Sequence, residues 1–573
     1  MRIVIEGYPY EEDKLKQILP PRLLDFPNKK REIRPPYVGY CFNPEINDCI
    51  FFLPKVVLTK DKNDINDTTG KGLVLNRYSP TDLLDFENSQ LEGADRSFLQ
   101  MFSIWIYRAI NIFYKNNDTS IVSRHTISDV DSTARTKNGT IIDTILSLLR
   151  FARENKDYVM FEIKNIHRGY NRVNWNKTIS HQTPIRQKKT PIYLNPINKK
   201  KQIDFDEELL VIFFSILEYI NRQYGFSADI NCNYETIRGS RFEHYLNGFG
   251  KIRLRQIKYK YFSDTALKLW SLCYSLFENS DRIHSSGKAE DFLIAQNFES
   301  VFESIIDTLL GEKVPAGFKT QKDGKIIDHI YPYEALVNPD SKVYHIADSK
   351  YYKAGSAIGS ESIYKQFTYA KNVIQLTLDI AYGKGTDEEK RRRGYLPYRD
   401  TLTEGYNITP NFFISAKIKK DNSPEPYSYT SDNLEPHDVD KDGQPLLQHR
   451  IIQFENRLFD RDTLILSHYD INFLYLIALY GKDNSAEQEN FRNRARKVFR
   501  ESFIRLIDRY YIFYKVIPEH QSPEEFVNTN FRELSGKLFH FGDTLIMGLE
   551  RSHPETKRIE EKYSANLRPY SLS

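Results

Sequence analysis

Hydrophobic and polar positions follow successive patterns along the stretch from Asp291 to Lys353. In its first third, apolar residues recur at helical spacing, which predicts one amphipathic helix that ends at Gly311. Two glutamates, Glu299 and Glu303, interrupt the apolar face of this helix. The apolar positions are Phe292, Ile294, Ala295, Phe298, Val301, Phe302, Ile305, Ile306 and Leu309.

Beyond a glycine-containing loop the period changes from helical to two. This change predicts two paired strands, Lys325 to Leu336 and Lys342 to Lys350. The tetrapeptide Asn338-Pro339-Asp340-Ser341 between them is typical of a turn. We therefore expect a hairpin directly after the helix.

Side-chain alternation in this hairpin brings three ionisable groups to its inner edge: Asp328 from the first strand, and Asp348 and Lys350 from the second. Their companions on these faces are large and apolar, namely Ile326, Ile330, Tyr344 and Ile346. Burying carboxylates in such company is unfavourable unless a partner neutralises them. A hard cation such as Mg²⁺, which prefers carboxylate oxygens, would do so, and a neighbouring ammonium could act on water or on a phosphodiester.

The order of these residues resembles a known nuclease pattern. Glu303 on a helix, Asp328 on one strand and Asp348-Ser349-Lys350 on the next resemble the PD-(D/E)XK nucleases. The phrases FESIIDTLL, IIDHIY, IADSKYYK and IYKQFTYA resemble the nuclease subunit of McrBC-type restriction systems, particularly the LlaJI family. VGYCFNPEINDCIFFLPKVVL near the start and HYDINFLYLIALYG near the end resemble the same family, so the resemblance spans most of the chain.

The resemblance implies a role for each residue of the pattern. Asp328 and Asp348 would bind Mg²⁺, or Mn²⁺ in its place, with help from the backbone carbonyl of Ser349. Lys350 would orient or activate the water, and Glu303 would hold a second metal ion or the water shell. Glu299 is an alternative to Glu303.

Two further features bear on this assignment. Such nucleases often carry a Gln four residues before a Tyr, whereas here Gln366 precedes Tyr369 by three, so the role of Gln366 stays open. A second Glu-x-Lys, Glu162 to Lys164, lacks a preceding strand that carries an Asp, and we treat it as a decoy. We expect His329 and His345 to face away from the site.

Composition bounds the rest of the chain. With 573 residues, 40% of them hydrophobic and 13% aromatic, the chain can form two to four domains. We predict an α/β chain of the α+β type: a β-rich region at 1–90, a mostly helical partner- or DNA-contact region at 91–285, and a PD-(D/E)XK domain at 286–573. The mixed sheet of this last domain would be flanked by helices and followed by a C-terminal helical extension. The four cysteines lack zinc spacing, and no leader or membrane-length apolar run occurs, so we expect a cytoplasmic protein without membrane contact.

A net charge of +4 means that any affinity for DNA must come from local patches. Two basic stretches interleaved with aromatic residues, at 168–201 and 238–260, are candidates, although solvated loops would explain them equally well. A helix from Ser362 to Ala381 would add residues near the hairpin. The candidate DNA-binding residues are Arg172, Trp175, Lys177, Arg253, Arg255, Lys365 and Gln366.

The arginine-rich stretch from Glu487 to Lys515 predicts a helix whose charged face is mostly solvated. No G-x-x-x-x-G-K-[ST] motif occurs, so any motor must be a separate polypeptide, and the resemblance implies an McrB-like AAA+ GTPase. We therefore expect a Mg²⁺-dependent endonuclease that cuts double-stranded DNA within a phage-defence system. The alternatives are an adaptor whose nuclease is inactive but which stimulates the motor, and a nuclease that acts on RNA.

Overall fold

A computed structural model of the chain describes most of its length. The described residues are 1–24, 32–59, 72–73, 78–85, 93–117, 121–125, 140–156, 163–166, 173–197, 200–203, 208–224, 226, 228–231, 234–286, 291–353, 355–418, 427–447, 449–451, 454–482 and 484–572. Two sequence predictions, Arg172 as a DNA contact and Glu162 of the decoy, lie outside them. Among the described residues, none of the helices combines the length and apolar content that a bilayer crossing requires.

A five-stranded sheet, which we call the N-terminal sheet, takes three of its strands from the predicted β-rich region at 1–90. Its strands lie in the order Arg2–Ile5, Asp48–Leu53, Val38–Asn43, Asp291–Ala295 and Val122–His125. The first two pair in parallel and the others are antiparallel. Two shorter strand pairs join Tyr10–Glu11 to Glu32–Ile33 and Leu58–Thr59 to Gly72–Leu73.

The prediction of one continuous helix from Phe292 is wrong at its beginning. Asp291–Ala295 is a strand, and the helix, which we call the acid helix, comprises Phe298–Leu310. All five residues of the strand are buried, because the sheet is covered on both faces. Such an apolar run has no clear period of two and can be mistaken for the start of a helix.

The region that follows the N-terminal strands is mostly helical, as predicted. Thr140 caps one of its helices through a reciprocal pair of hydrogen bonds with Asp143. The helices are Gly93–Asn116, Ile141–Glu154, Trp175–His181, Glu208–Tyr224, Ser240–His244, Gly250–Ile257 and Asp264–Ser286. Two small antiparallel pairs also lie here: Ile163–Ile166 with Lys200–Ile203, and Ile185–Gln187 with Thr190–Ile192.

A mixed sheet, the central sheet, carries the predicted hairpin. Its strands lie in the order His329–Glu334, Lys342–Lys350, Asn411–Lys417, Leu464–Asn472 and Glu435–Pro436, and His449–Ile451 also pairs with the fourth. The hairpin is antiparallel, whereas the second, third and fourth strands run parallel. The strand Lys342–Lys350 has the predicted bounds.

Helices cover both faces of the central sheet. The helix Ser360–Tyr382 packs on the face that includes Ile346 and Phe413. The opposite face, which includes Ala347, meets the acid helix and the helices Phe473–Lys482 and Ser485–Tyr510. The predicted mixed sheet with flanking helices is thus confirmed, while the division into three domains stays a prediction.

The chain ends in a four-stranded antiparallel sheet with two further helices. Its strand Tyr511–Val516 begins inside the predicted helix of 487–515, so that prediction is wrong over residues 511–515. Aromatic and β-branched residues in this segment favour a strand. The remaining elements are Leu538–Phe541, Thr544–Glu550, Leu567–Tyr570, the helices Pro523–Leu534 and Pro554–Lys562, and a short helix, Asp387–Arg392, before the third central strand.

Candidate active site

The first hairpin strand is shorter than predicted, because it comprises His329–Glu334 and not Lys325 to Leu336. Two positions before it, Ile327 donates its backbone N–H to the carbonyl of Lys319 at 2.9 Å. Ile326 is 55% exposed, so the prediction that it shares a buried face with Asp328 is wrong. Asp328 lies immediately before the strand, where an irregular backbone presents its half-buried side chain beside the second strand.

Asp348 and Lys350 lie on the second strand, two residues apart and therefore on one face. Asp348 is 1% exposed and Lys350 is 8% exposed. The Lys350 Nζ lies 2.6 Å from Asp348 Oδ2 and 5.3 Å from the centroid of the Phe413 ring. This is a buried ion pair against an aromatic side chain.

Two further carboxyl groups approach this pair, and together Glu303, Asp328, Asp348 and Lys350 form what we call the acid cluster. Burial, together with the charge of Asp348 and a hydrogen bond to it, raises the pKa of Asp328 to about 9. Burial, together with the charges of Glu299 and Asp348, raises the pKa of Glu303 to about 7. The residues predicted as catalytic are thus brought together.

The acid cluster carries more negative charge than Lys350 and the neighbouring Lys365 neutralise. Lys350 and Lys365 lower the pKa of Glu303, but burial and repulsion outweigh them. Like charges in a poorly solvated site either take up protons or require a cation. Asp328 and Asp348, which lie within hydrogen-bond reach of each other, offer the oxygen donors that Mg²⁺ and Mn²⁺ prefer, so these two residues suit the expected metal.

Helix Ser360–Tyr382 contributes two predicted residues, Lys365 and Gln366. Burial lowers the pKa of Lys365, but a hydrogen bond to Tyr369 and the charges of Asp348 and Asp328 raise it overall. Gln366 is fully buried, and its backbone carbonyl accepts a hydrogen bond from Asn411 Nδ2 at 3.3 Å. Within the described ranges, neither side-chain amide atom of Gln366 has a hydrogen-bond partner. A buried amide of this kind is unusual and suits a bound water or ligand.

The other candidate DNA-binding residues lie on the helical region. Trp175 is 57% exposed at the start of its helix, and Lys177, two residues further on, is also exposed. Arg253 already forms an ion pair with Glu208, and Arg255 donates to the hydroxyl of Tyr274. These contacts leave Trp175 and Lys177 the most accessible, and no described contact links any of the four to the acid cluster.

The two hairpin histidines have partners of their own. His345 is buried on the face opposite Asp348, and its Nε2 donates to the carbonyl of Glu334 at 3.1 Å. Burial lowers the pKa of His345 to about 3, so its ring is neutral. His329 Nδ1 lies 3.5 Å from Asp307 of the acid helix. For His345, the prediction that it faces away from the site is confirmed.

The arginines of helix Ser485–Tyr510 include residues that the sequence reasoning missed. Arg496 and Arg500 are 6% and 7% exposed, so the expectation of a solvated face is wrong for them. Arg496 donates to the carbonyls of Leu310 and Gly311, at the end of the acid helix. Cations at a helix C-terminus satisfy its free carbonyls and its dipole. The signal that this face is inside the protein was the series of apolar residues beside the two arginines, namely Phe491, Ala495, Phe499 and Phe503.

A second polar group, the histidine cluster, comprises Lys417, His437, His468 and Asp470. His437, His468 and Asp470 each offer a ligand atom within 4.8 Å of the others. However, the Lys417 ammonium pairs with Asp470 and lies 3.0 Å from His437 Nδ1, and the two imidazole rings stack at 3.8 Å. Burial raises the pKa of Asp470, but His437 and Lys417 lower it overall. The Lys417 ammonium therefore already supplies the positive charge that a metal ion would bring to this cluster.

The middle of the chain is similar to a known protein family. Residues 91–422 match the family model described as LlaJI restriction endonuclease. No curated protein matches. A chain in a refined half-complex from the tetradecameric assembly of Thermococcus gammatolerans McrB AAA+ hexamers with bound McrC shares 12% identity at a TM-score of 0.27, over 87% of this chain and 99% of that one. A chain in the cryo-EM structure of the Thermococcus gammatolerans McrBC complex shares 9% identity at a TM-score of 0.16, over 55% and 89%.

Proposed function

We propose, from the premise that this chain belongs to the LlaJI restriction endonuclease family, that it is the Mg²⁺-dependent DNA-cutting subunit of a McrBC-type restriction system. Its reaction would be hydrolysis of phosphodiester bonds in double-stranded DNA. The observation that carries this proposal is the convergence of Glu303, Asp328 and Asp348 beside Lys350.

Asp328, Asp348 and the backbone carbonyl of Ser349 would hold the metal ion, which when bound supplies positive charge at a phosphoryl oxygen and lowers the pKa of water. Lys350 stands next to these oxygens, on the same strand face as Asp348. Its ammonium would orient the attacking water and stabilise charge that develops on the phosphate. Glu303 would complete the water shell or hold a second ion.

The DNA would approach from the side of the site that carries cations. Lys365 supplies an additional ammonium, since its charge lowers the pKa of both Glu303 and Asp328. The exposed Trp175 and Lys177 would extend the contact surface, because an aromatic ring can stack on a base and an ammonium can pair with a phosphate. Gln366 would bind a water molecule rather than DNA, since its side chain is fully buried.

The motor would be a separate McrB-like AAA+ GTPase. The support is the resemblance of the sequence phrases around the hairpin to nuclease subunits of such systems, together with the lack of a phosphate-binding loop motif in this chain. Cleavage would then depend on GTP hydrolysis by the partner.

The test is Asp348→Ala in the full chain, measured with its motor, GTP and Mg²⁺ on matched DNA and RNA duplexes. Removing one carboxylate should lower DNA cleavage by about 10³-fold or more, since metal-assisted charge stabilisation is worth several kcal/mol. Motor binding should be unchanged, and RNA should remain intact.

Binding of Mn²⁺ to the isolated chain, followed by electron paramagnetic resonance, provides an independent measurement. The wild type should bind the ion and Asp348→Ala should not. Wild-type cleavage by Asp348→Ala would refute the site. Absence of Mn²⁺ binding and of cleavage by the wild type would leave an adaptor of the motor.

A further inference from the structure

The residue directly after Lys350 connects the candidate active site to the N-terminal sheet. Tyr351 is fully buried, and its hydroxyl donates to the carboxylate of Glu6. The same hydroxyl accepts the backbone N–H of Lys55 at 3.1 Å. Glu6 and Lys55 follow two parallel strands of the N-terminal sheet, Arg2–Ile5 and Asp48–Leu53, so one phenol is held by two strand ends.

Glu6 is itself fixed in place. Its backbone N–H donates to the carbonyl of Leu53 at 2.9 Å, and its Oε2 accepts the backbone N–H of Lys55 at 3.0 Å. Glu6 is also buried, with only 8% of the residue exposed. A buried carboxyl that lost the Tyr351 hydroxyl would lose one of its few partners, which is unfavourable. The position of the phenol is therefore specified by more than packing.

The ring of Tyr351 also contacts the acid helix. Its centroid lies 5.4 Å from that of Phe298 and 5.9 Å from that of Phe302. The Lys55 ammonium lies 4.6 Å from the same centroid. The ring thus joins the strand that ends at Lys350, the helix that carries Glu303, and the N-terminal sheet.

The acid helix has a second attachment to that sheet. It begins at Phe298, three positions after the strand Asp291–Ala295 ends. Between them, Gln296 donates its backbone N–H to the carbonyl of Ile121, next to the edge strand. A displacement of the N-terminal sheet would consequently move Glu303 through the chain and Lys350 through Tyr351.

We propose that Glu6 is a positioning residue for phosphodiester cleavage, which acts through the Tyr351 hydroxyl to fix Lys350 and the acid helix relative to each other. This inference rests on the proposed function. It deepens that function, because it makes the N-terminal sheet part of the device that sets the catalytic geometry. A partner that shifts this sheet would change the rate of cleavage without touching the acid cluster.

The test compares Tyr351→Phe and Glu6→Ala with Asp48→Asn in the full chain with its motor. Tyr351→Phe keeps the ring between its aromatic neighbours and removes only the hydroxyl. Asp48→Asn is the matched control, since Asp48 is a buried carboxylate of the same sheet that pairs with the N-terminal ammonium at 2.7 Å. The measurements are kcat and KM for DNA, the Tm, and Mn²⁺ binding.

Both test variants should lower kcat by about 10-fold to 100-fold, because small misplacements of catalytic groups have effects of this size. KM for DNA and the number of bound Mn²⁺ ions should stay as in the wild type, and Glu6→Gln, which keeps an acceptor oxygen, should recover part of the rate. Asp48→Asn should lower the Tm at least as much and keep kcat within about twofold of the wild type, as a substitution without a functional contact does.

Wild-type kcat in Tyr351→Phe and Glu6→Ala would overturn the positioning role while the proposed function stands. An equal loss of kcat in Asp48→Asn would overturn it too, since general destabilisation would then explain the loss. A wild-type protein that binds no Mn²⁺ and cuts no DNA would refute the proposed function, and the positioning role with it.

Discussion

Two aspartate–lysine pairs lie on the same face of the central sheet and have opposite surroundings. Asp348 and Lys350 lie on one strand, and Asp470 pairs with Lys417 across two neighbouring strands. The strand register sets Lys350 beside Ser415, and Ser415 beside Asp470. Lys417 thus lies on the strand next to that of Asp348 and Lys350, and Asp470 lies on the strand beyond it.

The difference is in the charge around each pair. In the acid cluster, burial and like charges raise the pKa of Asp328 and of Glu303. In the histidine cluster, His437 and Lys417 lower the pKa of Asp470 despite its burial. The positive charge of Lys350 and Lys365 is too small to balance the carboxyl groups of the acid cluster, whereas Lys417 balances Asp470 in the histidine cluster. An Asp–Lys contact alone is therefore uninformative, and the unbalanced carboxyl groups mark the candidate metal site.

Replacing each lysine by methionine should give the largest difference in cleavage rate between the two pairs. Lys350→Met should lower DNA cleavage by about 10²-fold to 10³-fold, as loss of one charge-stabilising donor does. Lys417→Met leaves Asp470 with only His437, so it should affect stability while cleavage stays near the wild-type rate. Rates under single-turnover conditions check both. Equal losses in the two variants would contradict the comparison.

The pH dependence of metal binding should differ in the same way. Asp328 and Glu303 must release protons before they bind a cation, and their pKa values are raised to about 9 and about 7. Mn²⁺ affinity should therefore rise with pH through this window, by about tenfold per pH unit for each proton displaced. Calorimetry in buffers of different ionisation enthalpy measures the protons released.

Asp328→Asn serves as the control in this titration. The variant should bind Mn²⁺ weakly, and its Mn²⁺ affinity should no longer rise with pH above pH 8. Affinity that does not change between pH 6 and 9 would argue against a metal held by these carboxyl groups. Asp470→Asn should leave the profile unchanged.

The sequence alone predicted the acid cluster but not its counterpart. Asp348 and Lys350 lie two residues apart in one predicted strand, so their shared face could be derived from spacing even though the strand is buried on both faces. Lys417, His437 and His468 come from separate segments, and only the pairing of strands brings them together. The strand Asp291–Ala295 was missed because burial on both faces removes the alternation.

The smallest expected effect concerns stability without metal. The pKa of Asp328 is raised in the folded protein above its ordinary value of 3.8, so the folded state holds this proton more tightly than the unfolded chain. Its contribution to stability is full below pH 4 and is lost as the pH rises towards 9. In EDTA at pH 8, Asp328→Asn should therefore have a higher Tm than the wild type.

Asp470 should behave in the opposite sense. Its pKa is lowered in the folded protein, so its ionised form stabilises the fold at neutral pH, and that stability is lost as the pH falls through the lowered pKa. Asp470→Asn should accordingly have a lower Tm than the wild type at pH 8. Thermal melts of both variants with EDTA and with Mg²⁺ check the pair, because the ion should raise the Tm of the wild type and leave Asp328→Asn nearly unchanged. A metal-free Asp328→Asn that melts below the wild type would mean that the acid cluster is already neutralised from within, as the histidine cluster is.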